Sequence, residues 1–272
     1  MNENSAPKRV GLFIIFLLFG LATWIFPLML TDLIKLAYQL CLPILFLLAA
    51  LWLKRSENLS IYYPVVYAFF IAAVATALAA PFGGGTTVDN RTYNLLISSI
   101  LVVGSILILT KLSGGDFKSV FLQKGNLRSG LILGWIIFFF FLVTALPASQ
   151  LFGANPVTTE QLIEWTPWMA VFIFVNGLRE ELWFRGIFLR KYTSFLGNDP
   201  SNFLQAMIFG AAHLVFPISI LNLTGNLMLF FLTFLIGFLC GAAMLKTDSI
   251  LASILIHAGA DIPFLIAAFS FI

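Results

Sequence analysis

The stretch IYYPVVYAFFIAAVATALAA, residues 61–80, contains no charged side chain. An α-helix rises about 1.5 Å per residue, so a run of this length would span about 30 Å, the thickness of the hydrocarbon core of a bilayer. The whole chain of 272 residues has the same character, since 60% of it is hydrophobic and only 10% is charged. A soluble domain carries about 25% charged residues. The sequence therefore predicts an integral membrane protein and excludes both a disordered chain and a disulfide-rich secreted module.

Nine apolar runs, bounded by charged residues, proline or glycine, are candidates for membrane spans. They predict an all-α fold, a polytopic transmembrane helix bundle of about eight or nine spans. The fifth and seventh runs are short and could be tilted or re-entrant. The predicted spans are Val10–Leu30, Leu36–Leu53, Ile61–Ala80, Tyr93–Thr110, Leu131–Leu146, Trp168–Leu189, Asn202–Phe216, Asn226–Leu245 and Ile250–Phe271.

Basic residues are concentrated in alternate connections between these runs. If the N-terminus is cytoplasmic, the outer segments hold only Lys35 and Arg91. The inner segments hold Lys8, Arg9, Lys54, Arg55, Lys111, Lys118, Lys124, Arg128, Arg190, Lys191 and Lys246. Cytoplasmic loops are enriched in Lys and Arg, so this asymmetry predicts a cytoplasmic N-terminus. A net charge of +3, distributed in this way, predicts contact with a lipid bilayer and no nucleic-acid partner.

The longest cytoplasmic connection, Lys111–Gly130, is the candidate for an internal boundary. It divides residues 1–130, the N-terminal spans with this connector, from residues 131–272, a membrane-embedded core, within what we expect to be one integral membrane domain. The connector is predicted either to be a solvated loop or to lie on the inner surface with four apolar side chains in lipid. These side chains are Phe117, Val120, Phe121 and Leu122. Cys41 and Cys240 lie in apolar runs and are predicted to be small buried residues.

Ionisable residues away from the ends of the spans are concentrated in the last four. They are Arg179, Glu180, Glu181, Arg185, His213, His257 and Asp261, and they include both histidines of the chain. A charge at this depth costs several kcal/mol unless it is paired or faces a polar cavity, so the cluster predicts a functional site. Glu180, His213 and His257 each lie about 15 to 18 Å along their helices from the cytoplasmic end, and so can meet in one plane.

Helical spacing assigns different roles to the two adjacent glutamates. Neighbouring residues on a helix point about 100° apart, so Glu180 and Glu181 cannot both aim at one point. Glu181 and Arg185 have the i, i+4 spacing of a favourable ion pair, which leaves Glu180 as the free carboxylate. Arg179 has no obvious local partner. Five glycines near these positions could let helices approach closely, or could reflect the high glycine content of membrane helices. They are Gly177, Gly210, Gly237, Gly241 and Gly259.

A carboxylate beside two imidazoles can deprotonate water for attack on a carbonyl group. The imidazoles and Asp261 could then stabilise the oxyanion or bind a metal, a combination that favours amide hydrolysis. Neither GxSxG nor HExxH occurs, so a zinc site would have to be assembled from separate helices. Two other functions stay open: an ion-coupled transporter, although all the buried charge lies in one half of the chain, and a non-catalytic immunity or scaffold protein.

Three short motifs contain the residues of this cluster. Residues 180–185 have the form EExxxR, residues 209–213 the form FxxxH, and residues 257–261 the form HxxxD. In this order and spacing they resemble the CAAX protease and bacteriocin-processing family, also called the Abi family of intramembrane endopeptidases, which is related to type II CAAX prenyl endopeptidase. The resemblance covers about Trp168–Phe264, and the motifs lie within 168–264.

The resemblance implies an endopeptidase in a prokaryotic plasma membrane that cleaves a membrane-associated or lipidated protein or peptide. It implies that Glu180 is the water-activating base and that His213, His257 and Asp261 complete the site with Glu181 and Arg185. Many family members have Asn in place of Asp261. An ionised Asp cannot donate a hydrogen bond, so Asp261 should be protonated, orient His257 or bind a metal. The family has been described both as metal-dependent and as metal-free, so Glu180, His213 and His257 could hold a divalent metal such as zinc.

Overall fold

The computed structural model describes residues 6–214 and 223–272 of the chain. Within these residues the fold is all-helical, as the sequence predicts, with ten α-helices joined by short connections. The helices are α1 (Ala6–Trp24), α2 (Asp32–Arg55), α3 (Tyr63–Ala79), α4 (Val88–Leu112), α5 (Leu127–Ser149), α6 (Thr159–Glu180), α7 (Leu189–Leu196), α8 (Asn198–His213), α9 (Leu223–Thr247) and α10 (Leu251–Phe269). A π-helical turn, Glu181–Gly186, follows α6 directly.

Seven helical segments of the described chain are long and apolar enough to cross a membrane. They are built on α1 to α5, α9 and α10, and they make the protein an integral, multi-pass membrane protein. The other two predicted spans correspond to α6 and α8. Predicted span Trp168–Leu189 is not one continuous α-helix, because its helix begins at Thr159 and gives way to the π-helical turn after Glu180. Predicted span Asn202–Phe216 corresponds to α8, which begins at Asn198; Phe216 lies outside the described residues.

The start of α6 is fixed by a capping box. The Thr158 hydroxyl accepts a hydrogen bond from the Gln161 backbone N–H, and the Gln161 side chain accepts one from the Thr158 N–H. This reciprocal arrangement satisfies two N–H groups that would otherwise lack partners at a helix start. It defines the first turn of the helix that carries Glu180 at its other end.

The core is rich in aromatic side chains where α1 and α3 pack against the π-helical turn and α7. The ring centroids of Phe69 and Phe188 lie 4.6 Å apart, and the Trp24 ring stacks on the Phe184 ring with a centroid distance of 4.7 Å. All four side chains are buried. Such pairs contribute about 0.5–1.5 kcal/mol beyond their buried area. The N-terminal helices therefore support the turn on which the motif EExxxR lies.

The connector between α4 and α5 packs against protein, which corrects one of the two sequence predictions for it. Val120 and Phe121 are fully buried in the core rather than inserted into lipid. The Arg190 guanidinium lies 4.0 Å above the Phe121 ring, and the Ile250 N–H donates a hydrogen bond to the Phe121 carbonyl. Two of the four apolar side chains considered for insertion into lipid therefore pack in the protein core, whereas Phe117 is exposed.

The two cysteines differ in their environment. Cys240 is buried, as predicted, whereas Cys41 is exposed on α2, so the prediction of a buried residue is wrong there. Most of the lipid-facing surface of a membrane helix is apolar, so an apolar run alone does not indicate which side of a helix faces protein.

Close helix packing depends on the glycines that the sequence analysis identifies. A Cβ atom added to Gly259 on α10 would lie 2.8 Å from the Cα of Phe138 on α5. A Cβ added to Gly177 on α6 would lie 3.2 Å from the carbonyl oxygen of Ile254 on α10. Both contacts are with backbone, which cannot move aside as a flexible side chain can. Small residues therefore set the spacing of α5, α6 and α10.

We expect Gly259→Ala to lower the thermal unfolding temperature of the detergent-solubilised protein, because overpacking costs about 1–3 kcal/mol. Gly104→Ala on α4 is the matched control, since a Cβ there meets no atom within 4 Å. It should leave the unfolding temperature unchanged or raise it slightly, because Ala favours a helix over Gly by about 0.5–1 kcal/mol. Equal unfolding temperatures for the two variants would contradict the packing role of Gly259.

Candidate active site

The π-helical turn gives the two motif glutamates different surroundings. Glu180 ends α6, and Glu181 begins the turn, all six residues of which are buried. A π-turn widens the helix by one residue and changes the direction of the side chains that follow, a feature often found at functional sites. The two carboxylates consequently reach different partners.

Glu181 forms the ion pair that the i, i+4 spacing predicts, inside the protein. Its Oε1 lies 2.6 Å from the Arg185 Nη1, and both side chains are completely buried. The same oxygen lies 2.7 Å from the His257 Nδ1. Arg185 also donates to the Gly237 carbonyl and lies 4.1 Å above the Phe209 ring. This one pair therefore links the three sequence motifs to α9.

Glu180 has one oxygen engaged and one oxygen unpaired. Its Oε1 accepts a hydrogen bond from the Arg179 Nη2 at 2.9 Å. Its Oε2 lies 3.5 Å from the His257 Nε2 and 3.8 Å from the His213 Nε2. Among the described residues this buried oxygen has no hydrogen-bond partner. Glu181 Oε2 also lacks a partner, so the feature that distinguishes Glu180 is the pair of imidazole nitrogens that its free oxygen faces.

Hydrogen bonds orient both histidines with Nε2 towards Glu180. The His213 Nδ1 lies 2.8 Å from the Phe209 carbonyl oxygen, and the His257 Nδ1 lies 2.7 Å from the Glu181 carboxylate. A carbonyl oxygen accepts hydrogen bonds only, and an ionised carboxylate does the same, so Nδ1 carries the proton in each ring. In the neutral form of each ring, Nε2 then presents a lone pair.

A polar network unseen in the sequence holds Asp261 and Arg179. The Asn176 amide donates to Asp261 Oδ2 at 2.9 Å, and the Arg179 Nη2 donates to Asn176 Oδ1 at 2.6 Å. Arg179 also donates to the Ser98 hydroxyl at 3.1 Å. The expectation that Arg179 has no local partner is thus wrong. Asn176 was missed, although an amide lying i−4 from Glu180 was a signal that could have identified it.

The six residues predicted for the site form one connected cluster. The third motif joins it through His257, whose Nε2 also lies 3.6 Å from Asp261 Oδ1. The members come from α6, the π-helical turn, α8 and α10, and they are Glu180, Glu181, Arg185, His213, His257 and Asp261. Their chemical roles are considered below.

Two cavities formed by the described residues reach the cluster. The wide cavity has a volume of about 600 Å³, lies between α1 to α3 and the end of α6, and is lined by residues that include Lys35, Gln39 and Glu180. The narrow cavity has a volume of about 150 Å³, lies between α6, α9 and α10, and is mostly apolar. Glu180, Arg179 and His213 line both cavities. A substrate and a water molecule could therefore reach the same carboxylate.

The donors around Glu180 Oε2 fit a divalent metal only in part. Ligand atoms about 2.0–2.2 Å from a tetrahedral zinc ion lie roughly 3.3–3.6 Å from one another. The distances from Glu180 Oε2 to the two Nε2 atoms are close to that range, but the three donors do not all lie within 4.8 Å of one another. The hydrogen bond from the His257 Nδ1 to Glu181 is the usual support for a metal-binding histidine.

A second group of possible metal ligands is more closely spaced, but its charge is already balanced. Donor atoms of Glu181, Cys240 and His257 lie within 4.8 Å of one another. The Arg185 guanidinium already neutralises Glu181 at 2.6 Å, so a second cation there would be repelled. The chain thus brings Cys240 close to His257, which the sequence did not predict, but we assign no metal to this group.

Comparison with known proteins identifies one family. Residues 162–263 match the family model described as Type II CAAX prenyl endopeptidase Rce1-like. No curated protein and no solved structure matches the chain. The matched segment runs from α6 into α10 and contains all six residues of the cluster. Residues 162–263 are therefore similar to the type II CAAX prenyl endopeptidase family.

Proposed function

We propose that this protein is an intramembrane endopeptidase in which Glu180 activates a water molecule for attack on a peptide carbonyl. The observation that carries the proposal is the unpaired Glu180 Oε2, which is buried beside two imidazole nitrogens and belongs to a residue that lines both cavities. A carboxylate oxygen without a partner can accept a proton from water. The similarity of residues 162–263 to the type II CAAX prenyl endopeptidase family supports a protease and a protein substrate.

In the proposed reaction Glu180 transfers the proton and a histidine stabilises the oxyanion. Glu180 takes a proton from water while the water oxygen bonds to the carbonyl carbon, and the carbonyl oxygen becomes an oxyanion. In its doubly protonated form, the imidazolium of His213 or His257 would donate a hydrogen bond from Nε2 to that oxyanion. As the C–N bond breaks, Glu180 returns its proton to the leaving amine. Water is consumed, and the products are a new carboxylate and a new amine.

Arg179 and Asn176 position the groups that react. Arg179 binds Glu180 Oε1, so it keeps the carboxylate ionised and holds Oε2 as the free basic atom. Asn176 binds Asp261, whose other oxygen faces His257. Of the three possible roles for Asp261, orienting His257 is the one we propose.

A metal-dependent form of the same site is the alternative. Glu180 Oε2 and the two Nε2 atoms would be its ligands, and a bound zinc ion would supply Lewis-acid polarisation of water or of the carbonyl group. In this form too, Glu181 orients His257 through Nδ1.

The proposed substrate is a membrane-associated or lipidated protein or peptide, and the proposed location is the plasma membrane of a prokaryote. The narrow cavity supports an apolar substrate group because its walls include Phe172, Leu232 and Phe264. Apolar walls with a few converging polar groups are typical of ligand sites.

We expect Glu180→Gln to abolish proteolysis without unfolding the protein, because loss of a general base costs about 10²–10⁴-fold in rate. Cells expressing wild type or Glu180→Gln would be compared for new protein N- and C-termini. Glu164→Gln is the matched control, since it neutralises an exposed glutamate on the same helix. Termini found with wild type and the control, but not with Glu180→Gln, would support the proposal.

Full activity of Glu180→Gln would refute the role of Glu180. Identical termini for all three proteins, at equal membrane levels and with a Glu180-independent phenotype, would favour the immunity or scaffold function. Solute flux that depends on Glu180, without cleavage, would favour the transporter.

We expect Glu181→Gln to destabilise the protein far more than Glu180→Gln does. Removing one partner of a buried ion pair leaves the other charge uncompensated, at a cost of about 3–5 kcal/mol. Arg185 has no exposure to water that could reduce this cost. Thermal unfolding in detergent would measure both variants, and similar unfolding temperatures would contradict the division of roles.

Metal removal separates the two forms of the mechanism. The metal-dependent form predicts about one zinc ion per purified chain, loss of cleavage with a chelator and recovery with zinc. It also predicts that His213→Ala loses zinc while staying folded. Full activity of zinc-free protein in chelator would support the metal-free form instead.

A further inference from the structure

Four segments that are distant in sequence meet at one end of the helix bundle. They are the connector between α4 and α5, the first turn of α5, the start of α7 and the turn between α9 and α10. The Arg190 guanidinium donates to the Lys118 carbonyl and pairs with Asp248. The Asn126 N–H donates to the Thr247 carbonyl at 2.7 Å. These contacts hold the four segments together as one surface.

This surface carries four exposed basic side chains, which we call the basic cradle. They are Lys118, Lys124, Arg128 and Lys246. Among the residues that the structure describes, none of the four forms an ion pair. The carboxylates nearby are already engaged, since Asp248 pairs with Arg190 and Asp116 accepts a hydrogen bond from the Ser119 N–H. The cradle therefore has uncompensated positive charge and should attract an anion.

The cradle lies where four membrane-spanning helices end. The connector joins the candidate spans Val88–Leu112 and Leu127–Phe152. The turn at Asp248 joins the candidate spans Gly225–Thr247 and Leu251–Phe269. Basic residues at the ends of membrane spans lie at the level of the lipid headgroups. The anion nearest to the cradle is therefore the phosphate of a phospholipid.

Apolar side chains continue from the cradle along the same helices. Leu131 follows Arg128 by three residues on α5, so the two share a face of the helix, and Leu131 is exposed. Leu251 at the start of α10 is also exposed. A Cβ atom added to Gly130 would lie 3.9 Å from the Ala252 Cβ, so these parts of α5 and α10 are adjacent. A charged surface that leads into an apolar one fits a lipid better than it fits free phosphate.

We propose that the basic cradle binds the headgroup of an anionic phospholipid whose acyl chains lie against α5 and α10. Lys and Arg form charge-assisted hydrogen bonds with phosphate oxygens, and groups of basic residues beside membrane spans attract anionic lipids. This inference goes beyond the proposed function and does not depend on it, because lipid binding requires no catalysis.

A lipid bound to the cradle would stabilise a segment that contacts the candidate active site. Val120 and Phe121 of the connector are buried, and the Arg190 guanidinium lies 4.0 Å above the Phe121 ring. A Cβ atom added to Gly186, the last residue of the π-helical turn, would lie 3.1 Å from the Val120 carbonyl oxygen. A ligand that binds only the folded protein stabilises it, so anionic lipid should raise the unfolding temperature.

Lipid binding by the purified, detergent-solubilised full chain tests the inference. The quadruple variant neutralises the cradle with Lys118→Gln, Lys124→Gln, Arg128→Gln and Lys246→Gln. The matched control removes four exposed charges elsewhere, with Lys8→Gln, Arg9→Gln, Lys54→Gln and Arg55→Gln. The probes are phosphatidylglycerol, phosphatidylcholine and inorganic phosphate. Native mass spectrometry would measure binding, and thermal unfolding would measure stability.

We expect the wild type and the control to bind phosphatidylglycerol in preference to phosphatidylcholine, and phosphatidylglycerol to raise the unfolding temperature of both. Each Lys or Arg near an anionic membrane surface raises affinity roughly fivefold, so the quadruple variant should bind phosphatidylglycerol roughly a hundredfold more weakly. If that variant does not fold, Lys124→Gln with Arg128→Gln replaces it, with an expected loss of roughly twentyfold. Inorganic phosphate should not change the unfolding temperature, because it has no acyl chains.

Four results would overturn the proposal. Equal binding of phosphatidylglycerol by the wild type and the cradle variants would show that the cradle is not the site. An equal loss in the control would show that the attraction follows total charge alone. A wild type without preference for phosphatidylglycerol would leave an acidic protein as the partner of the cradle. A rise in the unfolding temperature with inorganic phosphate would indicate a site for a free anion.

Discussion

The buried Glu181–Arg185 ion pair is the interaction on which the site depends. Two opposite charges with no exposure to water are tolerated only with good geometry and additional hydrogen bonds. Here the additional partners are His257, the Gly237 carbonyl and the Phe209 ring, each on a different helix. Because the pair needs these partners, α8, α9 and α10 must assemble around the π-helical turn. The ion pair therefore contributes more to the arrangement of these helices than to the net stability of the protein.

This arrangement gives the two adjacent glutamates different roles. Glu181 is enclosed and binds Arg185 and His257 through Oε1, whereas Glu180, its neighbour in sequence, lines both cavities. On a regular helix the two carboxylates would point about 100° apart. The helix changes from α to π between Glu180 and Glu181, which widens the backbone at this point. Glu181 can therefore pair with Arg185 while Glu180 lies beside the histidines.

The small residues and the aromatic core determine how the cluster is presented. Glycines allow α5, α6 and α10 to approach within backbone contact, which brings His257 and Asp261 next to Asn176 and Glu180. Aromatic packing from α1 and α3 supports the π-helical turn from the other side. The connector packs Val120 and Phe121 into the core next to this turn.

The sequence by itself determined the all-helical membrane fold and the six residues of the cluster. Long uncharged runs can satisfy their backbone in lipid only as helices, and charges inside such runs are conspicuous because they are costly. The i, i+4 spacing was enough to identify the Glu181–Arg185 pair, because that contact is local.

Only the tertiary structure decided the contacts between helices. The π-helical turn, the bonds of Asn176 and Arg179, the burial of Phe121 and the exposure of Cys41 all depend on which helix faces lie together. Apolar residues face lipid and protein alike in a membrane, so hydrophobic patterning does not distinguish those faces. The two cavities also depend on tertiary structure, because each is lined by side chains from several helices and by no single segment of the chain.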